Sequence, residues 1–243
     1  MFKKIIIFTV LVLSSLFFLS CGESNIPTDN NTNADESPTN YEDGFNLMGF
    51  ADSRSLVYLK VDTVTSLDST YSIDVTNSFI TFSFSGNGED WIIKKDGKPY
   101  NNLKISEFSI LLNGCWETIN ETEVINYFSV PPMIMPREII KDSIWSGYFP
   151  SFEETDSTFL FYNAYYGFYF KKQFVGIERI IIPAGEFDAY RFDVDLFDSE
   201  FSDSPVIRIQ EYYVPSLGMV KHQLTGGPLK QSMSLIDTAS IIE

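Results

Sequence analysis

Residues 190–196 read YRFDVDL. Tyr190, Phe192, Val194 and Leu196 alternate with Arg191, Asp193 and Asp195, and a period of two puts the first set on one face of a β-strand and the second on the other. The same alternation recurs upstream. Val57, Leu59 and Val61 alternate with Tyr58, Lys60 and Asp62; Tyr71, Ile73 and Val75 with Ser72, Asp74 and Thr76; Ile80, Phe82 and Phe84 with Thr81, Ser83 and Ser85. Segments that bury one face and wet the other are the antiparallel habit, whereas a parallel α/β sheet gives continuous apolar runs.

Turn chemistry separates these segments. Asp96-Gly97 and Gly86-Asn87-Gly88 supply residues that accept positive φ. Pro183-Ala184-Gly185, between Ile180-Ile181-Ile182 and Phe187, frames a tight hairpin. Pro131, Pro132 and Pro136 make the middle of the chain irregular, and residues 137–145 are expected to form a short helix there. The expected fold is all-β: a strongly curved antiparallel sheet, half-barrel or open barrel, with at most one or two short helices. So many strands without crossover helices must curl or close to cover an apolar face.

The chain has 243 residues, 17 Lys plus Arg against 33 Asp plus Glu, and a formal net charge of -16. Nucleic-acid binding through its own charge is excluded, because phosphate contact needs a basic surface. Hydrophobic residues at 44% suffice for a core. A single His and two Cys argue against a zinc site or a disulfide framework, and no cofactor is expected.

Residues 1–20 combine Lys3 and Lys4, an apolar run over residues 5–19 and a small residue, Ser20, in the order of a secretory signal peptide. The run is shorter than the roughly 20 apolar residues of a spanning helix. Phe18, Leu19, Ser20 and Cys21 resemble the bacterial lipobox, with Phe18 in place of the usual Leu. The resemblance implies that Cys21 is the lipid-modified first residue of a membrane-anchored envelope lipoprotein, at an outer membrane on either face. Residues 21–44, with Ile26, Ala34 and Tyr41 almost their only apolar side chains, are expected to be a disordered linker leading to a single β domain over residues 45–243. Cys115, beside Trp116, is expected to be a buried small hydrophobe.

Two stretches carry a further resemblance: GIERIIIPAGEFDAYRFDV, residues 176–194, and EYYVPSLGMVKHQ, residues 211–223. They resemble uncharacterised bacterial envelope proteins with a Val-Pro-Ala-Gly-Thr-Phe hairpin and a later Trp-Tyr-x-Pro-x-Val-Gly-x-Val strand. Here Glu186 and Tyr212 replace the usual Thr and Trp, while Pro183, Ala184, Gly185, Phe187, Pro215, Gly218 and Val220 are kept. Residues 130–145, proline-rich and ending in Trp145, are similar to a further segment of that group, without its glycine. The group looks like LolA- and LolB-type half-barrels and TapB-like proteins, which implies a curved sheet with an apolar concave face. By conformation alone, Gly218 relieves crowding or allows a bulge where the sheet bends.

Candidate chemistry is sparse. His222 shares the parity of Val220 and Leu224 and is expected to be a hydrogen-bonded core residue. No nucleophile elbow accompanies it. Asp193, Asp195, Asp198, Glu200 and Asp203 lack the spacing of a calcium loop and read as a solvated face. A non-enzymatic function follows as the expectation. Aromatics crowd residues 159–174 at both parities, so some must leave the core and line a second apolar surface, or be covered by a loop. Two hypotheses stand. In one, Tyr190, Phe192, Val194 and Leu196, with Tyr166 and Phe168, wall a cleft for a lipid-like or other apolar ligand. In the other, the core is filled and a structural lipoprotein meets a protein or glycan partner through exposed tyrosines.

Overall fold

The computed structural model describes residues 42–50, 54–66, 72–119, 122–149, 167–225 and 229–237. Cys21, Tyr166, the leader and most of the linker lie outside them. The chain enters through β1 (Glu42–Asp43) and a one-turn helix α1 (Gly44–Met48), so residues 42–44 belong to the folded unit. The strands β2 (Ser55–Ser66), β3 (Ser72–Asn87), β4 (Asp90–Lys95), β5 (Lys98–Ile105), β6 (Ser109–Ile119) and β7 (Thr122–Tyr127) follow as a meander. Three short strands, β8 (Met133–Pro136), β9 (Glu138–Ile139) and β10 (Ile144–Tyr148), come next. The second half is β11 (Tyr169–Ile182), β12 (Gly185–Phe197), β13 (Ile207–Val214), β14 (Gly218–Thr225) and β15 (Leu229–Asp237).

The main sheet runs β10-β11-β12-β13-β14-β15-β2-β3-β4-β5-β6-β7, with β8 added to β6, and every pairing is antiparallel. Its last strand closes on its first half: β15 pairs with β2, Met233 opposite Lys60. The sheet is open, ending at β10 and β7, but it curls. Lys172 of β11, near one end of the order, brings its Nζ to 3.4 Å from the carbonyl of Ile134 in β8, which hangs on β6 near the other end. β8 therefore reaches β11 on the inside of the curl, with Ile134 and Met135 buried.

The turns form where the sequence places them: Asp96 and Gly97 take positive φ between β4 and β5, and Pro183-Ala184 turns β11 into β12. Residues 137–145 form no helix. They hold β9, a turn and the start of β10, because β1 offers β9 a backbone partner and β11 offers one to β10. β2 also reverses the expected parity. Leu56, Tyr58 and Lys60 point inward, while Val57, Leu59 and Val61 are half-buried on the other side. The reason is register: Leu56 and Tyr58 stand opposite Phe82 and Ile80, so β3 fixes which face of β2 meets the core. Val75, at the start of β3, is exposed rather than buried.

Asp43 caps α1, accepting from the Phe45 amide at 2.9 Å, and takes a two-pronged ion pair from Arg137 at 2.7 Å on each oxygen. The Arg137 hydrogen bonds lower the Asp43 pKa, outweighing burial, which pushes it up. The helix ends on Gly49 with φ 63°, pressed against the β13–β14 turn. Gly218 has φ 93°, and a Cβ there would sit 2.9 Å from the Met48 carbonyl, so both the backbone angle and the close approach demand glycine. Cys115 is buried.

Candidate functional site

The β11–β12 hairpin builds the site. β11 carries a bulge between Phe174 and Gly176, where Phe174 pairs with Phe192 but Gly176 pairs with Arg191, leaving Val175 without an opposite residue. After the bulge Ile177 stands opposite Tyr190. The shift lets the rings of Phe174 and Tyr190 stack at 5.5 Å with an interplanar angle of 21°. The turn before β10 completes the enclosure. The Asp142 amide donates to the Phe174 carbonyl at 3.2 Å and the Phe174 amide to the Ser143 carbonyl at 3.0 Å, which pins Ile140 and Lys141 beside the bulge.

The result is an open cleft of about 510 Å³ lined by Ile140, Lys141, Phe174, Val175, Ile177 and Tyr190. That volume falls within the range of small-molecule sites, and its walls are mostly apolar with few polar groups, as such sites are. Ile140 and Ile177 are about half exposed. The Tyr190 hydroxyl donates to Glu42 Oε2 at 3.3 Å, tying the rim to the start of the folded unit. Burial, reinforced by the Glu42 charge, raises the Tyr190 pKa, so the phenol stays a neutral donor.

The expected cleft-wall residues divide. Tyr190 lies on the cleft and Phe168 is half-buried against the core. Phe192, Val194 and Leu196 are completely buried. Phe192 packs against Trp145, Phe174 and Tyr213 at ring distances of 5.9, 5.3 and 5.5 Å. These three side chains are packed interior rather than the wall of an open space.

That interior also holds a polar group that sequence reasoning missed. Lys172 and Glu211 are buried and joined at 2.6 Å, and the Tyr213 hydroxyl donates to the same Glu211 oxygen at 3.1 Å. Three rings surround the ammonium, with centroids of Phe192, Tyr213 and Trp145 at 5.2, 5.4 and 5.7 Å. The signal was available: Lys172 shares the parity of Phe170 and Phe174, and Glu211 that of Ile209 and Tyr213. His222 stands opposite Glu211 on β14, inward as expected. It is not hydrogen-bonded as expected, since neither ring nitrogen has a partner among the described residues. Burial drives its pKa down to about 4, with Glu211 opposing the shift and Lys172 reinforcing it.

No protein-family model matches the chain and no curated protein matches its sequence. Three solved structures show similarity to the chain. One is a protein taken to be exported, with a YmcC-like fold, from Bacteroides fragilis: 10% identical, covering 77% of this chain and 95% of its own, TM-score 0.32. A β-barrel-like protein of a domain of unknown function from Brucella abortus is 9% identical over 77% of this chain and 98% of its own, TM-score 0.33. An inferred lipoprotein of Parabacteroides distasonis is 15% identical over 79% of this chain and 98% of its own, TM-score 0.30.

Proposed function

We propose that this chain is a non-enzymatic envelope lipoprotein, anchored through Cys21, that binds an apolar or amphiphilic ligand in the cleft at the β11 bulge. The observation that carries the reading is the cleft itself, floored by the stacked Phe174 and Tyr190 rings and walled by Ile140, Val175 and Ile177. The envelope address rests on the order of charge, apolar run, small residue and Cys21 at the N-terminus. The LolA- and LolB-type likeness belongs to this reading, with one modification: the ligand sits at a bulge on the surface, while inside the curl β8 meets Lys172 of β11. Hydrophobic burial supplies the affinity, at about 25 cal/mol per Å² of apolar area removed from water, less the cost of association.

The test is fluorescence of cis-parinaric acid titrated with the full chain carrying Cys21→Ser. Saturable binding that weakens at least tenfold in Ile177→Asp, with an unchanged melting temperature, supports the cleft. Absence of binding, or binding indifferent to Ile177→Asp, overturns it. A second reading, an interaction lipoprotein with a filled core, draws on the packing of Phe192, Val194 and Leu196 and on the exposure of Ile144, Ile177, Ile181 and Tyr148. It expects the bare result in the same titration.

A further inference from the structure

A second cleft, about 490 Å³, opens where β10, β11 and β12 run side by side. Its aromatic floor is set by register. Tyr148 stands opposite Tyr169, and Tyr169 opposite Phe197, so the three rings form one row across three strands. Their neighbours Phe170 and Leu196 point into the core, which places the row on the opposite face. Tyr148 and Tyr169 lie in contact, with centroids 4.7 Å apart and planes at 37°. Directly opposed residues are separated by roughly 5 Å per strand, so the row extends over roughly 10 Å.

Gly147 and Phe170 complete the apolar part of the lining, and the remainder is polar and of both signs: Ser146 and Lys171 on one side, Ser199, Glu200 and Ser202 on the other. The second group sits on a turn held by the Ser202 amide donating to the Ser199 carbonyl at 3.1 Å and the Ser202 hydroxyl donating to the Ser204 carbonyl at 3.0 Å. This differs in kind from the cleft at the bulge, whose walls are aliphatic. An acyl chain laid over the row would strip water from three hydroxyls and two charges without replacing their hydrogen bonds, a penalty that opposes binding. A ligand with one apolar C–H face and a rim of hydroxyls meets both demands. Its C–H face covers the rings and its hydroxyls pair with serines, ammonium and carboxylate.

We propose that this cleft is a saccharide-binding site, recognising neutral hexose units of a glycan through the Tyr148–Tyr169–Phe197 row. The opposite charges of Lys171 and Glu200 leave no net preference for an ionic ligand; the ammonium donates to a sugar hydroxyl and the carboxylate accepts from one. The site is independent of the cleft at the bulge.

The experiment is isothermal titration of the full Cys21→Ser chain with cellohexaose, maltohexaose and laminarihexaose. The proposal expects saturable binding of at least one, weakened at least tenfold in both Tyr148→Ala and Tyr169→Ala. Tyr148 is 41% exposed, so its truncation spares the core, and circular dichroism checks that both variants fold. Phe79→Ala, which removes a ring 69% exposed on β3, leaves binding unchanged. Failure of all three sugars to bind overturns the proposal, as does binding that ignores both tyrosine variants.

Discussion

His222 makes the stability of this protein depend on pH in a defined window. The imidazole is buried on β14, opposite Glu211 of β13 and near Lys172 of β11, and its pKa is held at about 4 against an ordinary value of 6.5. In the unfolded chain it takes a proton as pH falls through 6.5; in the folded chain it resists until about 4. The unfolded state thus binds more protons across that window, and stability falls as pH falls from 6.5 towards 4, with no further loss from this group below. The depression corresponds to about 3 kcal/mol in full, of which about 2 kcal/mol is expressed between about pH 7 and about pH 4.5. The assay is urea unfolding at those two pH values for the chain and for His222→Leu, which keeps an apolar side chain of similar reach. Carboxylates titrate in both proteins and cancel in the comparison. The drop between the two pH values should be smaller in His222→Leu by about 2 kcal/mol. Equal drops would refute the burial argument and place a hydrogen-bonding partner on the ring.

Two further perturbations test the interior and the bend. Lys172→Met or Glu211→Gln alone leaves one buried partner uncompensated and should cost about 3–5 kcal/mol, while the double variant Lys172→Met with Glu211→Leu should recover most of that loss, read by urea midpoints; additive losses would contradict the pairing. Gly218→Ala drives a Cβ towards the Met48 carbonyl at φ 93° and should cost at least about 1–3 kcal/mol in thermal unfolding, with an unchanged midpoint counting against the close approach of α1 to the β13–β14 turn.

Much of the architecture was legible because period-two patterning and turn residues are local signals. Phe82, Phe84, Phe192, Val194 and Leu196 fell on the buried face as their alternation required, and the Asp96-Gly97 and Pro183-Ala184 turns formed where glycine and proline marked them. β2 was misread because both of its faces are apolar enough to choose, and its partner β3 made the choice. The stretch 137–145 was misread because its strands exist only through non-local partners, β1 and β11. The site was less legible still. Tyr190 could be singled out, but the bulge that exposes it depends on the register of β11 against β12, and only Gly176 hinted at an irregularity. Lys172 and Glu211 were hidden by the habit of assigning charged residues to the surface, although their parity pointed inward.

The central claim, that the cleft at the β11 bulge holds an apolar ligand, is tested most directly by native mass spectrometry of the Cys21→Ser chain purified without detergent, beside Ile177→Asp prepared in the same way. The account predicts a stoichiometric adduct of lipid-like mass on the first protein and its loss from the second. A bare protein that stays bare when offered lipids, or an adduct retained by Ile177→Asp, would contradict it.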